Sequence, residues 1–328
     1  MKKNFVHLHV HSEYSLLDGL LRIDDLIKKA EQYEMPAVAL TDHGNMYGVI
    51  DFYKSAVKAG IKPIIGCEVY QAPKSRFDKK SSRNNNEELY NHLTLLVKDK
   101  EGYRNLMKLV SYGFLEGFYY KPRIDSELLQ NYSKGLIALS GCLSGKIPRA
   151  VEAGRIELAN KYIQEYIDIF GKENFFVELT DFKIEKHKKI NRVLFELAQK
   201  NNLKAVATND VHYLNQIDYK YHFVLLCLQA GITIGEFRKY CPDIDLDEGL
   251  EITIKKIIDK LAEQESEKKE IDVEKSEKSG FFPRTREYYF KNYDQMAILF
   301  NDFPQVLENT LEVAQMCDLK LDFNLGLI

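Results

Sequence analysis

Short apolar runs alternate, over the first two-thirds of the chain, with stretches whose apolar residues recur at helical spacing. Phe5–Val10, Ala37–Leu40, Pro63–Val69, His92–Val97, Leu136–Leu139, Phe175–Leu179 and Ala205–Ala207 read as strands. Ile23–Tyr33, the region of Tyr47–Ala59, Tyr103–Phe114, Ile156–Phe170 and Glu185–Lys200 read as helices. In the first of these, Ile23, Leu26, Ile27 and Ala30 share one face. The β-then-α rhythm predicts an α/β fold of parallel strands joined by crossover helices. About seven such units over ~230 residues suit a closed β/α barrel better than an open sheet.

The pattern changes after Gly231. Lys and Glu dominate Leu250–Ser279; Leu250–Leu261 keeps apolar residues at helical spacing, and the rest reads as a solvated helix or a disordered insert. Tyr288–Ile328 is apolar-periodic again, through Phe300, Phe303, Val306, Leu307, Leu311 and Ala314, and is predicted to be helical. The expected organisation is a barrel over 1–232, a charged insertion over 233–285 and a helical segment over 286–328.

Composition narrows the function. Hydrophobic residues make up 45% of the 328, enough for a sizeable core. A formal net charge of -3 counts against a chain that coats nucleic acid with its own cations. It leaves room for one strand end entering a pocket whose positive charge comes from bound ions. Cys67, Cys142, Cys227, Cys241 and Cys317 are scattered and form no CxxC pair, which points to a reducing compartment. Met1–Phe5 leads straight into histidines without the apolar stretch of a signal peptide, and no apolar run is long enough to span a bilayer. A cytoplasmic protein with no membrane partner is expected.

Functional groups of β/α barrels gather where strands end. The first predicted strand carries His7, His9 and His11; alternation lets His9 and His11 point together, with His7 deeper. Later strands end in Thr41-Asp42-His43-Gly44, Cys67-Glu68, Ser140-Gly141-Cys142 and Asn209-Asp210-Val211-His212. Taken singly, each has an ordinary explanation: a hydrogen-bonded core histidine, a helix-capping aspartate, a small buried thiol. Together they concentrate half of the 8 histidines at strand exits, which points to a shared metal site. Imidazole, carboxylate and one thiolate suit Zn²⁺, with Mn²⁺ or Fe²⁺ as alternatives.

These segments resemble the polymerase and histidinol phosphatase (PHP) domain, in the version found at the N-terminus of bacterial DNA polymerase III alpha subunits. The stretches that carry the resemblance are Phe5–Gly19, Leu40–Met46, Ile61–Glu68, His92–Leu96, Gly102–Leu106, Lys121–Asp125, Ser140–Gly145 and Ala207–Tyr213. The resemblance implies a distorted seven-stranded β/α barrel with a C-terminal helical extension. It implies that His9, His11 and Asp210 hold one ion, that Glu68 bridges to a second held by His92 and Cys142, and that Asp18, His43 and His212 hold a third. His92 opens its apolar run rather than closing it, so either that strand runs antiparallel or the polar loop Asp78–Tyr90 folds over the mouth. The likeness fades across 233–285 and returns at Tyr289–Asn292 and Phe303–Thr310, which resemble the segment leading to a polymerase palm that this chain lacks.

The expected chemistry is phosphodiester hydrolysis at a single-stranded DNA 3′ end, a 3′→5′ proofreading exonuclease with metal-bound hydroxide as nucleophile and two or three divalent ions as cofactors. Lys121 and Arg123 are candidates to hold the phosphate backbone, with a solvated turn beside Pro122 as the competing explanation. Tyr119 and Tyr120 could stack on a base or simply pack. The expected partners are DNA, the rest of the polymerase polypeptide and a separate exonuclease subunit. Two alternatives stand beside this reading: a small-molecule phosphatase of the histidinol-phosphate type, and a metal-stabilised scaffold that docks the exonuclease subunit.

Overall fold

The computed structural model describes residues 4–79, 89–231, 233 and 285–323. The expected insertion, its Leu250–Leu261 helix and the Asn324–Ile328 end lie outside them, apart from residues 233 and 285.

Seven strands form one curled sheet: β1 Ala37–Leu40, β2 Lys62–Gln71, β3 Asn91–Val97, β4 Arg123–Ile124, β5 Leu136–Leu139, β6 Phe175–Thr180 and β7 Ala205–Thr208. Their order is β1-β2-β3-β5-β6-β7, with β4 pairing β2 off that path. Helices α1 Ile23–Gln32, α2 Val49–Lys58, α3 Lys100–Leu115, α4 Ser126–Tyr132, α5 Lys146–Glu152, α6 Ile156–Phe170 and α7 Glu185–Lys200 accompany the strands. The Ile23, Leu26, Ile27 and Ala30 face of α1 is buried, as its spacing requires. After β7 come α8 Tyr219–Ala230, α9 Tyr293–Leu299 and α10 Gln305–Met316.

The uniformly parallel sheet needs one correction. β3 pairs antiparallel with both β2 and β5, while the other pairings are parallel. The start of β3 therefore lies at the same end as the exits of its neighbours, which answers the question posed by His92.

Phe5–Val10 closes the curled sheet without forming a regular ladder. On one side Ala39 and Thr41 donate to it, and on the other His11 N donates to Val211 O while Val211 N donates to His9 O. Ala39 N–H donates to His7 O (2.9 Å) but Thr41 N–H to Val10 O (2.8 Å). Two steps along β1 thus match three along this segment, so it holds one extra residue, a bulge that re-aims the side chains beyond it. Val6 and Leu8 belong to the apolar interior of the barrel, whereas Phe5 and Val10 join the outer layer with the helices. The phase slip between Leu8 and His9 turns His9 and His11 inward and leaves His7 outside. There His7 packs between the rings of Phe5 and Phe290 and donates from Nε2 to Lys291 O (2.8 Å).

The opposite end of the barrel is filled by α10. Val313, Ala314 and Cys317 pack against Val6, Ala37, Ile64, Leu96, Ile137 and Val206. Thr310 Oγ1 accepts from Val6 N (2.9 Å), Asn309 Nδ2 donates to Ala205 O (2.7 Å), and Asp318 N donates to Lys98 O (2.7 Å).

Candidate metal centre

Each of the nine expected donors reaches the mouth where β1, β2, β5, β6 and β7 end. Glu68, near the end of β2, sits at the centre and is fully buried. Its Oε1 lies 3.3 Å from His9 Nε2, 3.0 Å from His92 Nδ1 and 3.5 Å from Cys142 Sγ. Its Oε2 lies 2.8 Å from His43 Nδ1 and 3.5 Å from His11 Nε2. Asp210 Oδ1 stands 3.1 Å from His11 Nε2 and 3.4 Å from His9 Nε2. Asp18 Oδ2 lies 3.0 Å from His43 Nε2, and its Oδ1 3.6 Å from His212 Nε2.

Local structure fixes these positions. Asp18 stands in a turn closed by Asp18 N and Gly19 N donating to Ser15 O. A Cβ on Gly19 would fall 2.0 Å from Ser12 O, so only glycine lets the turn fold this tightly. Leu20 N–H donates to His212 O (2.8 Å), which ties the turn to the β7 exit. Asp42 is not among the cluster's donors. It accepts from Ser12 N, Ser12 Oγ and Ser15 Oγ and so holds the same turn from below. Asp210 itself has φ +44°, a conformation that costs a non-glycine residue of order 1–3 kcal/mol and that neighbouring structure must hold. Asn209 provides that hold by donating to the carbonyls of Glu287 and Tyr289.

Three imidazoles have their outer nitrogen already engaged. His9 Nδ1 donates to Glu178 Oε1 (2.7 Å), His11 Nδ1 to Ser15 Oγ (3.1 Å) and His212 Nδ1 to Asp210 O (2.7 Å). Such partners select the tautomer that aims a lone pair inward from Nε2. The inward nitrogens of His9 and His11 face each other at 3.0 Å, where two lone pairs repel unless a cation lies beside them. His43 Nδ1, Glu68 Oε2 and Asp210 Oδ1 are buried without a hydrogen-bond partner of good geometry. Orphaned donors of this kind, mixed from imidazole, carboxylate and thiol, fit divalent metal ions.

A proton can take part of a cation's place. Burial pulls the His9 imidazole down, but Glu68, Glu178 and Asp210 outweigh it and raise it well above its ordinary value. His43, pulled down by burial and up by Glu68 and Asp18, is raised to about 10. His11 goes the other way: burial, then the neighbouring His43 and His212, hold it well below. Burial opposes ionisation of Glu68 and Asp18, yet the surrounding imidazoles keep both carboxyls well below the usual range. Burial, then Glu68 and Asp210, push the Cys142 thiol well up, so it becomes a thiolate only beside a cation. Cys67 is a buried core thiol whose Sγ donates to Asp42 O.

The mouth opens into a cavity of about 360 Å³ lined by Asp18, His43, His92, Cys142, Asp210 and His212, together with Tyr70, Tyr90, Tyr288, Lys121 and Arg149. Lys121 is among the residues that line the cavity. Arg123 requires a correction: it is buried and donates to the carbonyls of Gly117, Leu89, Arg76 and Asp78, so it fastens a loop and does not line the cavity. Tyr120 is 69% exposed, and Tyr119 packs under the Arg123 guanidinium. Glu178 and Arg149 were not singled out from sequence. The signal for Glu178 was present, since it is the only charged residue in the strand Phe175–Thr180, set among Phe175, Phe176, Val177 and Leu179.

A β/α barrel that collects imidazoles, carboxylates and a thiol at the carboxyl ends of its strands defines a class of metal-binding barrels. This chain belongs to the PHP domain family, whose model matches residues 7–182. It is 40% identical over 345 residues to DNA polymerase III subunit alpha of Chlamydia pneumoniae, covering 98% of this chain and 25% of that one. It is 39% identical over 325 residues to the subunit of the same name from Thermus aquaticus, covering 98% of this chain and 23% of that one. The chain thus spans about a quarter of the length of these relatives. An amidohydrolase from Chromobacterium violaceum is similar in structure with a TM-score of 0.41 and 15% identity, over 63% of this chain and 87% of that one.

Proposed function

We propose that this chain is the metal-dependent phosphoesterase domain of a bacterial replicative DNA polymerase, and that it hydrolyses phosphodiester bonds at a single-stranded DNA 3′ end. The observation that carries this reading is the convergence of donors about Glu68 in an open cavity. In this reading His9, His11 and Asp210 would hold one ion, Glu68 with His92 and Cys142 a second, and Asp18, His43 and His212 a third. Zn²⁺ suits the set best, with Mn²⁺ or Fe²⁺ as alternatives. Bound there, such ions polarise a phosphoryl oxygen and make water a competent nucleophile near neutral pH.

The chain's own groups supply the rest. His9, His11 and His212 present Nε2 without reorienting, because their outer nitrogens are already engaged. Lys121 brings positive charge to the cavity, where a phosphate backbone would pass, and Arg149 braces the start of β3 by donating to Tyr90 O and Asn91 Oδ1. Tyr70, Tyr90 and Tyr288 line the cavity and give it an aromatic wall. The partners in this reading are the DNA end and the remainder of a longer polymerase polypeptide, in the cytoplasm, with a separate exonuclease subunit as a further candidate.

The test compares a 5′-labelled single-stranded oligonucleotide with histidinol phosphate, each offered to the wild type and to His11→Ala. The expected result is shortening from the 3′ end, abolished by chelation and reduced on the order of 10²-fold or more in the variant. Turnover of histidinol phosphate alone would identify a small-molecule phosphatase. No hydrolysis of either, with His11→Ala lowering only thermal stability, would identify a metal-stabilised scaffold.

A further inference from the structure

One imidazole beyond the expected donors reaches the cluster. His222 lies in the first turn of α8 and is buried. Its Nε2 stands 3.1 Å from Asp18 Oδ1, the same oxygen that faces His212 Nε2 at 3.6 Å. Asp18 and His222 are 204 residues apart in sequence. The ligand atoms of Asp18, His212 and His222 all lie within 4.8 Å of one another. Bonds of ~2.0–2.2 Å in a tetrahedral arrangement place donor atoms about 3.3–3.6 Å apart, close to the separations seen here.

A buried imidazole bonded to a carboxylate is the ordinary alternative, and two observations weigh against it. Asp18 already faces His43 and His212, so a third imidazole is more than its orientation requires. Further, His212 has its Nδ1 engaged by Asp210 O, so its Nε2 and that of His222 converge on a single oxygen from two elements. The helix face is right as well: one turn beyond His222, Leu226 lines the same cavity.

We propose that His222 is a metal donor at the Asp18 position, completing a set of one carboxylate and three imidazoles with His43 and His212. The proposal rests on the metal-cluster reading given above. The ligand is a divalent ion that accepts nitrogen-rich tetrahedral sets, Zn²⁺ first. Loading that position would tie α8 to the N-terminal turn, so the ion would also fasten one wall of the mouth.

The test is elemental analysis of the 328-residue chain after dialysis against Zn²⁺, for wild type, His11→Ala, His222→Ala and His222→Gln, with circular dichroism as the folding control. Glutamine keeps an N–H for Asp18 but is a poor zinc donor. The expected result is about three ions per wild-type chain and about one fewer in both His222 variants, with His11→Ala losing ions from the other positions. If His222→Ala fails to fold, His222→Gln decides. A wild-type count in His222→Gln would reduce His222 to a hydrogen-bonding role and overturn the proposal, as would a wild-type count in His222→Ala. A metal-free wild type would bring down the cluster reading itself.

Discussion

His9 owes its orientation to a residue that stands behind it. Glu178 Oε1 accepts from His9 Nδ1 and from Thr208 Oγ1 (2.6 Å), so the strand after next holds the ring in one tautomer. Glu178→Gln keeps the volume and removes the charge. Affinity at the His9 position is expected to fall about 10–100-fold, the usual cost of losing such a partner, while the fold persists. Competition with a chromogenic chelator measures this directly; unchanged affinity would remove Glu178 from any part in metal binding. His7, two residues before His9, serves only the core, and burial depresses its imidazole to about 3. Sequence alternation groups His7, His9 and His11 together; the bulge that separates them is a matter of backbone pairing and leaves no trace in residue type.

At the scale of elements, Gly19 shows how one turn positions a donor. Gly19→Ala would press a methyl group into Ser12 O, and the backbone carrying Asp18 would have to open. The expected outcome is loss of the ion at the Asp18 position with unchanged circular dichroism; metal analysis showing the wild-type count would refute it. The elements read most accurately from sequence are those with a long period or sharp borders. Ile156–Phe170, Glu185–Lys200, Ala37–Leu40 and Leu136–Leu139 match their observed limits. Helices α4 and α5 are too short to declare a period, and α8 is apolar on nearly every side, which hides both the helix and His222. Strand-end logic reached His9, His11, His43, Glu68, Cys142, Asp210 and His212. It could not reach Asp18, which sits in a turn, nor explain His92, whose place depends on the direction of β3.

Across the whole molecule the two ends of the barrel are filled by opposite chemistry: titratable groups at one, the apolar face of α10 at the other. Cys317 belongs to the second, and burial pushes its thiol up to about 12 from the ordinary 9.0. Below pH 9 both folded and unfolded chains hold that proton. Between 9 and 12 the unfolded chain releases it first, so native stability declines as pH rises. Relative to Cys317→Val, the wild type should lose up to about 1.4 kcal/mol per pH unit across that window. Urea unfolding of both proteins at pH 8 and at pH 10.5 checks this; parallel behaviour would mean that the thiol titrates normally. The reversal of β3 carries a further consequence. A strand that runs against its neighbours receives the chain on the same side from which the preceding strand released it. Gln71, where β2 ends, and Asn91, where β3 begins, are therefore paired with each other, three rungs beyond Glu68. Substitutions of the Leu89 and Tyr90 side chains, which line the cavity just before β3, should change what can enter it while the rungs between β2 and β3 stay in register.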